Sequence, residues 1–170
     1  MTERTFASWV EPIARRDREG RAALLDYVRL AAPGVWEEPS PVDGWNCRDV
    51  VAHIAGDSGK WFSHMLHAAL DGQQLNPTRV GPGVDGDALN KRDVEERSGR
   101  SLAELIDEIE ADGEQHDELL SRLTDDHQEF RLAEYLLSPD EFLSGNAAGN
   151  RGGHDLEHLS QLREALEVAT

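Results

Sequence analysis

Apolar residues recur along this chain at the three- and four-residue spacing of helices, and no stretch shows sustained alternation of apolar and polar positions. The spacing predicts a first helix that starts between residues 8 and 12 and runs to about Ala32, where Pro33-Gly34 ends it. Its polar middle includes Gly20, so only its second half has a clear inward face. The pattern predicts an all-α protein.

A second helix follows a linker rich in proline and glycine. Asn46 offers an N-cap, and the apolar spacing predicts a helix over residues 47–71. Residues 72–86 are rich in turn formers and predict a loop, with a short helical piece over residues 88–96. A connection of this length is typical of a crossover between helices, not of a tight hairpin.

Two capping boxes predict the starts of two further long helices. Ser101-Leu102-Ala103-Glu104 opens a third helix, and Ser138-Pro139-Asp140-Glu141 opens a fourth that is expected to run to about Val168. Four glycines lie inside this span, and each costs about 1 kcal/mol relative to alanine in a helix: Gly145, Gly149, Gly152 and Gly153. Either the fourth helix starts nearer Gly152, or the small residues are kept for close packing or ligand space. The well-formed capping box favours the second alternative. One domain over residues 1–170 is expected.

The composition predicts which compartment the protein occupies and which classes of partner it binds. Thirty-four acidic against seventeen basic residues give a formal net charge of −17, which repels phosphate backbones and anionic lipid, so neither nucleic acid nor a membrane is an expected partner. Cys47 is the single cysteine, which excludes an intramolecular disulfide and fits a reducing compartment. The sequence shows no export signal and no run of about 20 apolar residues. A cytoplasmic, unexported protein is expected.

Candidate chemistry centres on histidines. His154 and His158 are four residues apart and project from one side of a helix. Such pairs also occur by chance, as two partly exposed histidines on a polar face or as one buried histidine satisfied by a backbone carbonyl. His53 lies in the apolar segment 50–55, where a lone histidine needs a partner. A neutral histidine pair on a facing helix would supply one, and three imidazoles on one face are typical of a metal site.

The remaining four histidines are weaker candidates for a ligand of the same ion. His64 shares nearly the same face as His53, but eleven residues along a helix span about 16 Å, so the two cannot share an ion. His67 is farther still. His116 and His127 lie among acidic residues and are predicted to be on the surface. The most economical triad is therefore His53, His154 and His158.

Four segments of the chain carry a family resemblance. Residues 44–55, Gly-Trp-Asn-Cys-Arg-Asp-Val-Val-Ala-His-Ile-Ala, resemble the helix-2 signature of the DinB-like superfamily, which includes the metal-binding N-terminal domain of mycothiol-dependent maleylpyruvate isomerase. Residues 87–90, 101–105 and 154–162 also resemble it in order and approximate spacing. The similarity covers nearly the whole chain, and its first and last motifs are the more specific.

The resemblance implies a four-helix bundle, often dimeric, with a long connection between helices 2 and 3. It also implies a divalent metal ion held by one ligand from helix 2 and two from helix 4, at positions that match the triad. Zinc is the first choice, although three imidazoles also suit nickel, copper or iron. The best understood activities are isomerisation and S-transfer with mycothiol, bacillithiol or a similar thiol, so the expected partners are a small thiol and an electrophile.

Four residues are further site candidates. Asp57 lies one turn beyond His53 and is expected to orient that imidazole, to act as a general base, or to be solvated. Asn150 and Arg151 lie one turn before the histidine pair and are expected to border the open coordination positions. Arg151 would receive a carboxylate of the thiol or substrate, or be a surface residue. Gln161, one turn after the pair, is a further cofactor-binding candidate.

Three functional hypotheses follow from these residues. The first is a metal-dependent thiol S-transferase or isomerase-like enzyme acting on small electrophiles. The second is a metal- or small-ligand-binding helical module without turnover. The third is a structural dimer with unliganded histidines. Isomerase-type members usually carry a second, C-terminal domain and this sequence ends at Thr170, so maleylpyruvate isomerisation itself is not expected.

Overall fold

Every described element of regular secondary structure is a helix, so the predicted all-α class is confirmed. The structure, a computed structural model, describes residues 4–42, 44–57, 63–71, 85–128, 139–144 and 150–168. An isolated bridge joins Pro39 to Asn46, and no strand occurs in these ranges. The helices are α1 (Glu11–Leu30), a 3₁₀ helix (Pro33–Glu37), α2 (Cys47–Asp57), α3 (Ser63–Asp71), α4 (Gly86–Glu95), α5 (Leu102–Ser121), α6 (Asp125–Gln128), α7 (Pro139–Ser144) and α8 (Arg151–Val168).

Local sequence explains where several helices begin. The Ser101 hydroxyl accepts a hydrogen bond from the backbone N–H of Glu104, and the Glu104 carboxylate accepts one from the backbone N–H of Ser101 at 2.7 Å, which completes the predicted capping box of α5. Hydrogen bonds from Ser101 lower the pKa of Glu104. Asp85 caps α4 by accepting from the Ala88 N–H.

The predicted fourth helix differs from the observed one. Helix α7 begins at Pro139 and ends at Ser144, while the long C-terminal helix α8 begins at Arg151. A single helix from Ser138 to Val168 is therefore not what the described residues show, and the alternative start near Gly152 is the better description. Ser138 itself and residues 145–149 lie outside the described part of the chain. So do residues 58–62, between α2 and α3.

Two apolar clusters reveal the helix directions. The second half of α1, α2, the first half of α5 and the second half of α8 form the first cluster, which includes Leu24, Val50, Leu105 and Leu162. The first half of α1, α3 and the second half of α5 contribute to the second cluster. Helix α1 and the chain through α2 and α3 therefore run in opposite directions, and α5 repeats the direction of α2 and α3. The chain connects the end of α3 to the start of α5 through the long predicted connection, which contains α4.

Helices α1 and α8 cross at two glycines. A Cβ atom on Gly20 would lie 2.6 Å from the carbonyl oxygen of Gly152, and a Cβ on Gly152 would lie 2.6 Å from the carbonyl oxygen of Arg16. Only glycine permits the two backbones to approach this closely. Gly20, which weakened the prediction of α1 because of its low helix propensity, thus has a packing role. No helix in the described part combines the length and apolarity needed to cross a membrane.

Candidate metal centre

Helices α2 and α8 bring three histidine side chains to one point of the bundle. His53 lies in the middle of α2, and His154 and His158 lie one turn apart in the first half of α8. The ring centroid of His53 is 5.4 Å from that of His154 and 4.9 Å from that of His158, and the α8 pair are 4.4 Å apart. Spacing within α8 aligns two of the rings, and packing of α2 against α8 supplies the third.

The three rings have the geometry of a metal-ligand set. One nitrogen from each ring can be chosen so that all three lie within 4.8 Å of one another. The Nε2 atoms of His154 and His158 are 3.2 Å apart, and two nitrogens on a tetrahedral zinc ion at 2.0–2.1 Å would be about 3.3 Å apart. His53 is 4% exposed and His158 is 9% exposed. The donor set fits a divalent ion with at least one further coordination position.

Gln161 orients His158. Its side-chain oxygen lies 2.8 Å from Nδ1 of His158 and accepts the proton on that nitrogen. Nδ1 is therefore the protonated nitrogen, and the lone pair of Nε2 points at His154. This is the outer-shell hydrogen bond that fixes a ligand's tautomer in metal sites. Gln161 thus contacts a metal-ligand candidate, and its predicted contact with a cofactor stays a prediction.

An aromatic side chain covers the α2 side of the centre. The Trp45 ring lies 5.2 Å from the His53 ring, centroid to centroid, and packs against the first apolar cluster. Cys47 belongs to that same cluster and has no exposed surface. Burial, together with the charge of Glu38, raises the pKa of the Cys47 thiol. The chain's own thiol is thus kept protonated and away from solvent.

Asn150 has a structural role at the start of α8. Its side-chain oxygen accepts a hydrogen bond of 2.7 Å from the backbone N–H of Gly153, and its carbonyl accepts one from the backbone N–H of His154. Both bonds are those of an N-cap residue. The residue predicted to border the open coordination positions therefore fixes the helix on which two histidines lie. The sequence signal for this role is asparagine itself, which is among the preferred N-cap residues.

Arg151 is buried and not at the surface. Its side chain has no exposed area, and its guanidinium donates a 3.1 Å hydrogen bond to the backbone carbonyl of Asp112. Burial lowers the pKa of Arg151, and the charge of Asp155 is the largest opposing influence. The alternative that Arg151 is a surface residue is therefore wrong, while its anion-binding role stays a prediction.

The prediction that His116 lies on the surface is wrong. His116 is fully buried, and its Nε2 lies 3.2 Å from a carboxylate oxygen of Asp17, whose other oxygen accepts from the Gly152 N–H at 2.9 Å. Burial lowers the pKa of His116. Of the acidic neighbours that suggested exposure, Glu114 and Glu118 are exposed, whereas Asp117 is buried and paired with Arg18 and Arg21 of α1. These groups form a polar layer between the two apolar clusters: Asp17, His116, Asp117, Arg151 and Asp155.

Two acidic residues lie close to the histidines in the sequence. Asp57 is the last residue of α2, one turn after His53, and its side chain lies outside the described residues. Asp155 is a buried carboxylate next to His154, with one oxygen 3.6 Å from Nδ1 of that histidine. From the sequence, Asp155 and Glu157 flank the histidine pair, and two roles are open to them: to accept the second imidazole N–H or to be solvated. The burial of Asp155 depends on the helices packed against α8, which no local pattern reveals.

Comparisons with known proteins were made on sequence and on fold. The family model described as the mycothiol maleylpyruvate isomerase N-terminal domain matches residues 18–148, a range that includes His53 and ends before His154. No curated protein matches the chain. Among solved structures, the colibactin self-resistance protein ClbS in complex with a double-stranded DNA has a similar fold, with a TM-score of 0.67 and 12% identity over 91% of this chain and 95% of that one.

The prediction that nucleic acid is excluded as a partner is corrected by this comparison. It rested on a net charge of −17, whereas a protein of similar fold has been solved in complex with double-stranded DNA. Net charge sums over the whole surface and does not describe any one face, so it cannot exclude a class of partner.

Proposed function

The chain belongs to the family of the mycothiol maleylpyruvate isomerase N-terminal domain, and from this premise we propose that it is a metal-dependent S-transferase that joins a small thiol to an electrophilic small molecule. His53, His154 and His158 are the proposed metal ligands. The observation that carries the proposal is their convergence, with one ligand nitrogen from each residue inside a span of 4.8 Å.

The donor set supports zinc as the ion. Three neutral imidazoles form a common catalytic zinc site because they leave a position for a further ligand. A bound zinc ion would lower the pKa of a coordinated thiol and so stabilise its thiolate near neutral pH. Gln161 contributes to such a site by holding the proton on Nδ1 of His158 and leaving Nε2 as the ligand. Nickel, copper and iron also accept imidazole ligands, and metal analysis separates them.

A thiol from solution is favoured by the state of the protein's own cysteine. Cys47 is fully buried and burial raises its pKa, so it offers no thiolate to a substrate. In the proposed reaction, the sulfur of a mycothiol-like thiol bonds to the electrophilic carbon. The leaving group departs with the bonding electrons, and the thiol proton passes to solvent or to a base. Asp57 is the proposed base, on its spacing from His53.

The experiment is an S-transfer assay on the purified protein. Mycothiol, bacillithiol and glutathione are each supplied with a fluorogenic alkyl chloride, and product formation is compared with the uncatalysed rate. His158→Ala should abolish the catalysed rate. His67→Ala is the matched control, because His67 is an exposed histidine of α3 outside the cluster. Metal binding without product from any thiol would instead assign a binding module without turnover.

A duplex DNA belongs among the ligands tested, because ClbS is described in complex with one. Fluorescence anisotropy of a labelled duplex at low ionic strength measures the binding. A rise in anisotropy that disappears with added salt would assign nucleic-acid binding to this chain as well.

A further inference from the structure

Helix α8 carries two buried, oppositely charged residues beside the metal centre. Arg151 and Asp155 are one turn apart and neither has any exposed surface. Asp155 directly follows His154, one of the three proposed ligands. Buried charges are rare unless they are paired or perform a function, so this pair requires an explanation that the metal ligands alone do not give.

The Asp155 carboxylate faces the histidine side of α8. Both of its oxygens are shielded from solvent and receive no hydrogen bond from the described residues. Nδ1 of His154 lies 3.6 Å from Oδ1, close enough for an electrostatic interaction but beyond hydrogen-bond distance. Nδ1 is the nitrogen of His154 that does not face His158, because the two Nε2 atoms are the ones 3.2 Å apart. The carboxylate therefore lies behind His154 as seen from the centre.

Arg151 supplies the counter-charge. Its Nη1 donates a hydrogen bond to the backbone carbonyl of Asp112. Its Nε and Nη2 are buried and donate to no acceptor among the described residues. Among the charges acting on Arg151, that of Asp155 favours its ionised form most. The pair thus balances its charge inside the protein, and a line of interacting groups runs from Arg151 through Asp155 to His154.

We propose that Asp155 is a positioning residue for His154: its negative charge, 3.6 Å from Nδ1, favours the imidazole proton on that nitrogen, so that Nε2 is left as the ligand for the metal ion. This inference rests on the proposed metal site. It gives each histidine of α8 its own orienting partner: Gln161 acts on Nδ1 of His158 through a 2.8 Å hydrogen bond, and Asp155 acts on Nδ1 of His154 through its charge. A carboxylate behind a histidine ligand also increases the basicity of that ligand.

The test compares Asp155→Asn with a matched control. Asp155→Asn keeps the shape of the side chain and removes its charge, and it should weaken zinc binding about 10- to 100-fold, measured by competition with a chromophoric chelator. Glu157→Gln removes an exposed carboxylate on the same helix, next to His158, and should bind zinc like the unchanged protein. If Asp155→Asn does not fold, the charge-balanced double variant Asp155→Asn with Arg151→Met replaces it.

A second readout distinguishes positioning from a general structural role. Long-range ¹H–¹⁵N correlation spectra of the metal-free proteins report which nitrogen of His154 carries the proton. The fraction of His154 that is protonated on Nδ1 should be larger in the unchanged protein than in Asp155→Asn.

Unchanged zinc affinity in folded Asp155→Asn would overturn the proposal, as would weakened affinity with an unaltered tautomer. If the unchanged protein binds no zinc but shows the tautomer difference, the proposed function fails while the positioning role stands.

Discussion

The Nε2 atoms of His154 and His158 lie 3.2 Å apart. Because Nδ1 of His158 donates to Gln161, the Nε2 atom of His158 presents a lone pair to its neighbour. Two imidazole nitrogens at this separation either share a proton or bind a common cation, and a ligand nitrogen of His53 within 4.8 Å of both favours a metal ion that all three rings bind. The predictions below follow from this arrangement and from the packing that creates it.

Loss of the Gln161 hydrogen bond should weaken metal binding without unfolding the protein. In Gln161→Leu, Nδ1 of His158 loses its acceptor, so the ring is free to rotate and to change tautomer. We expect zinc affinity to fall about 10-fold or more, with little change in thermal stability because the residue is half-buried at the helix surface. Isothermal calorimetry and thermal melts of the metal-free protein measure the two effects. Equal affinity for the variant and the unchanged protein would contradict this role.

The contact between α1 and α8 should not tolerate a methyl group. Gly20→Ala places a Cβ 2.6 Å from the Gly152 carbonyl oxygen, so the helices must separate, and we expect a loss of about 1–3 kcal/mol in the free energy of unfolding. Gly99→Ala is the matched control, since nothing lies within 4 Å of its added Cβ. Urea denaturation measures both variants. If Gly20→Ala is as stable as Gly99→Ala, then α1 and α8 do not cross this closely.

Acid should destabilise the protein through His116. Burial is the main cause of its lowered pKa and Arg151 adds to it, while the hydrogen bond to Asp17 and the charges of Asp17 and Asp117 oppose it. The unfolded chain therefore binds a proton more readily than the folded one, so stability falls as the pH drops below about 6.5, the ordinary histidine pKa.

His116→Gln tests this pH dependence because glutamine can still donate to Asp17 but does not titrate in this range. In the presence of a chelator, the free energy of unfolding of the variant should fall less between neutral and mildly acidic pH than that of the unchanged protein. Parallel pH profiles for the two proteins would argue against a neutral, buried His116.

Sequence reasoning reached the helices and the triad but not the polar layer. Three local features of the sequence are present in the structure: the capping box at Ser101, the helix start at Pro139, and the i,i+4 spacing of His154 and His158 on one helix. The burial of His116 and Arg151 depends on the residues that face them from other helices. The start of α8 near Gly152 was the less favoured of two alternatives for a related reason, because the packing role of Gly152 is visible only against α1.

Metal content after purification without added metal or chelator is the most direct test of the central claim. Plasma mass spectrometry should find about one divalent ion per chain, with zinc expected, in the unchanged protein and in His67→Ala. His53→Ala and His158→Ala, confirmed as folded by circular dichroism, should lose it. A folded, metal-free protein that also fails to take up added zinc, or one that keeps its metal in both cluster variants, would contradict the account.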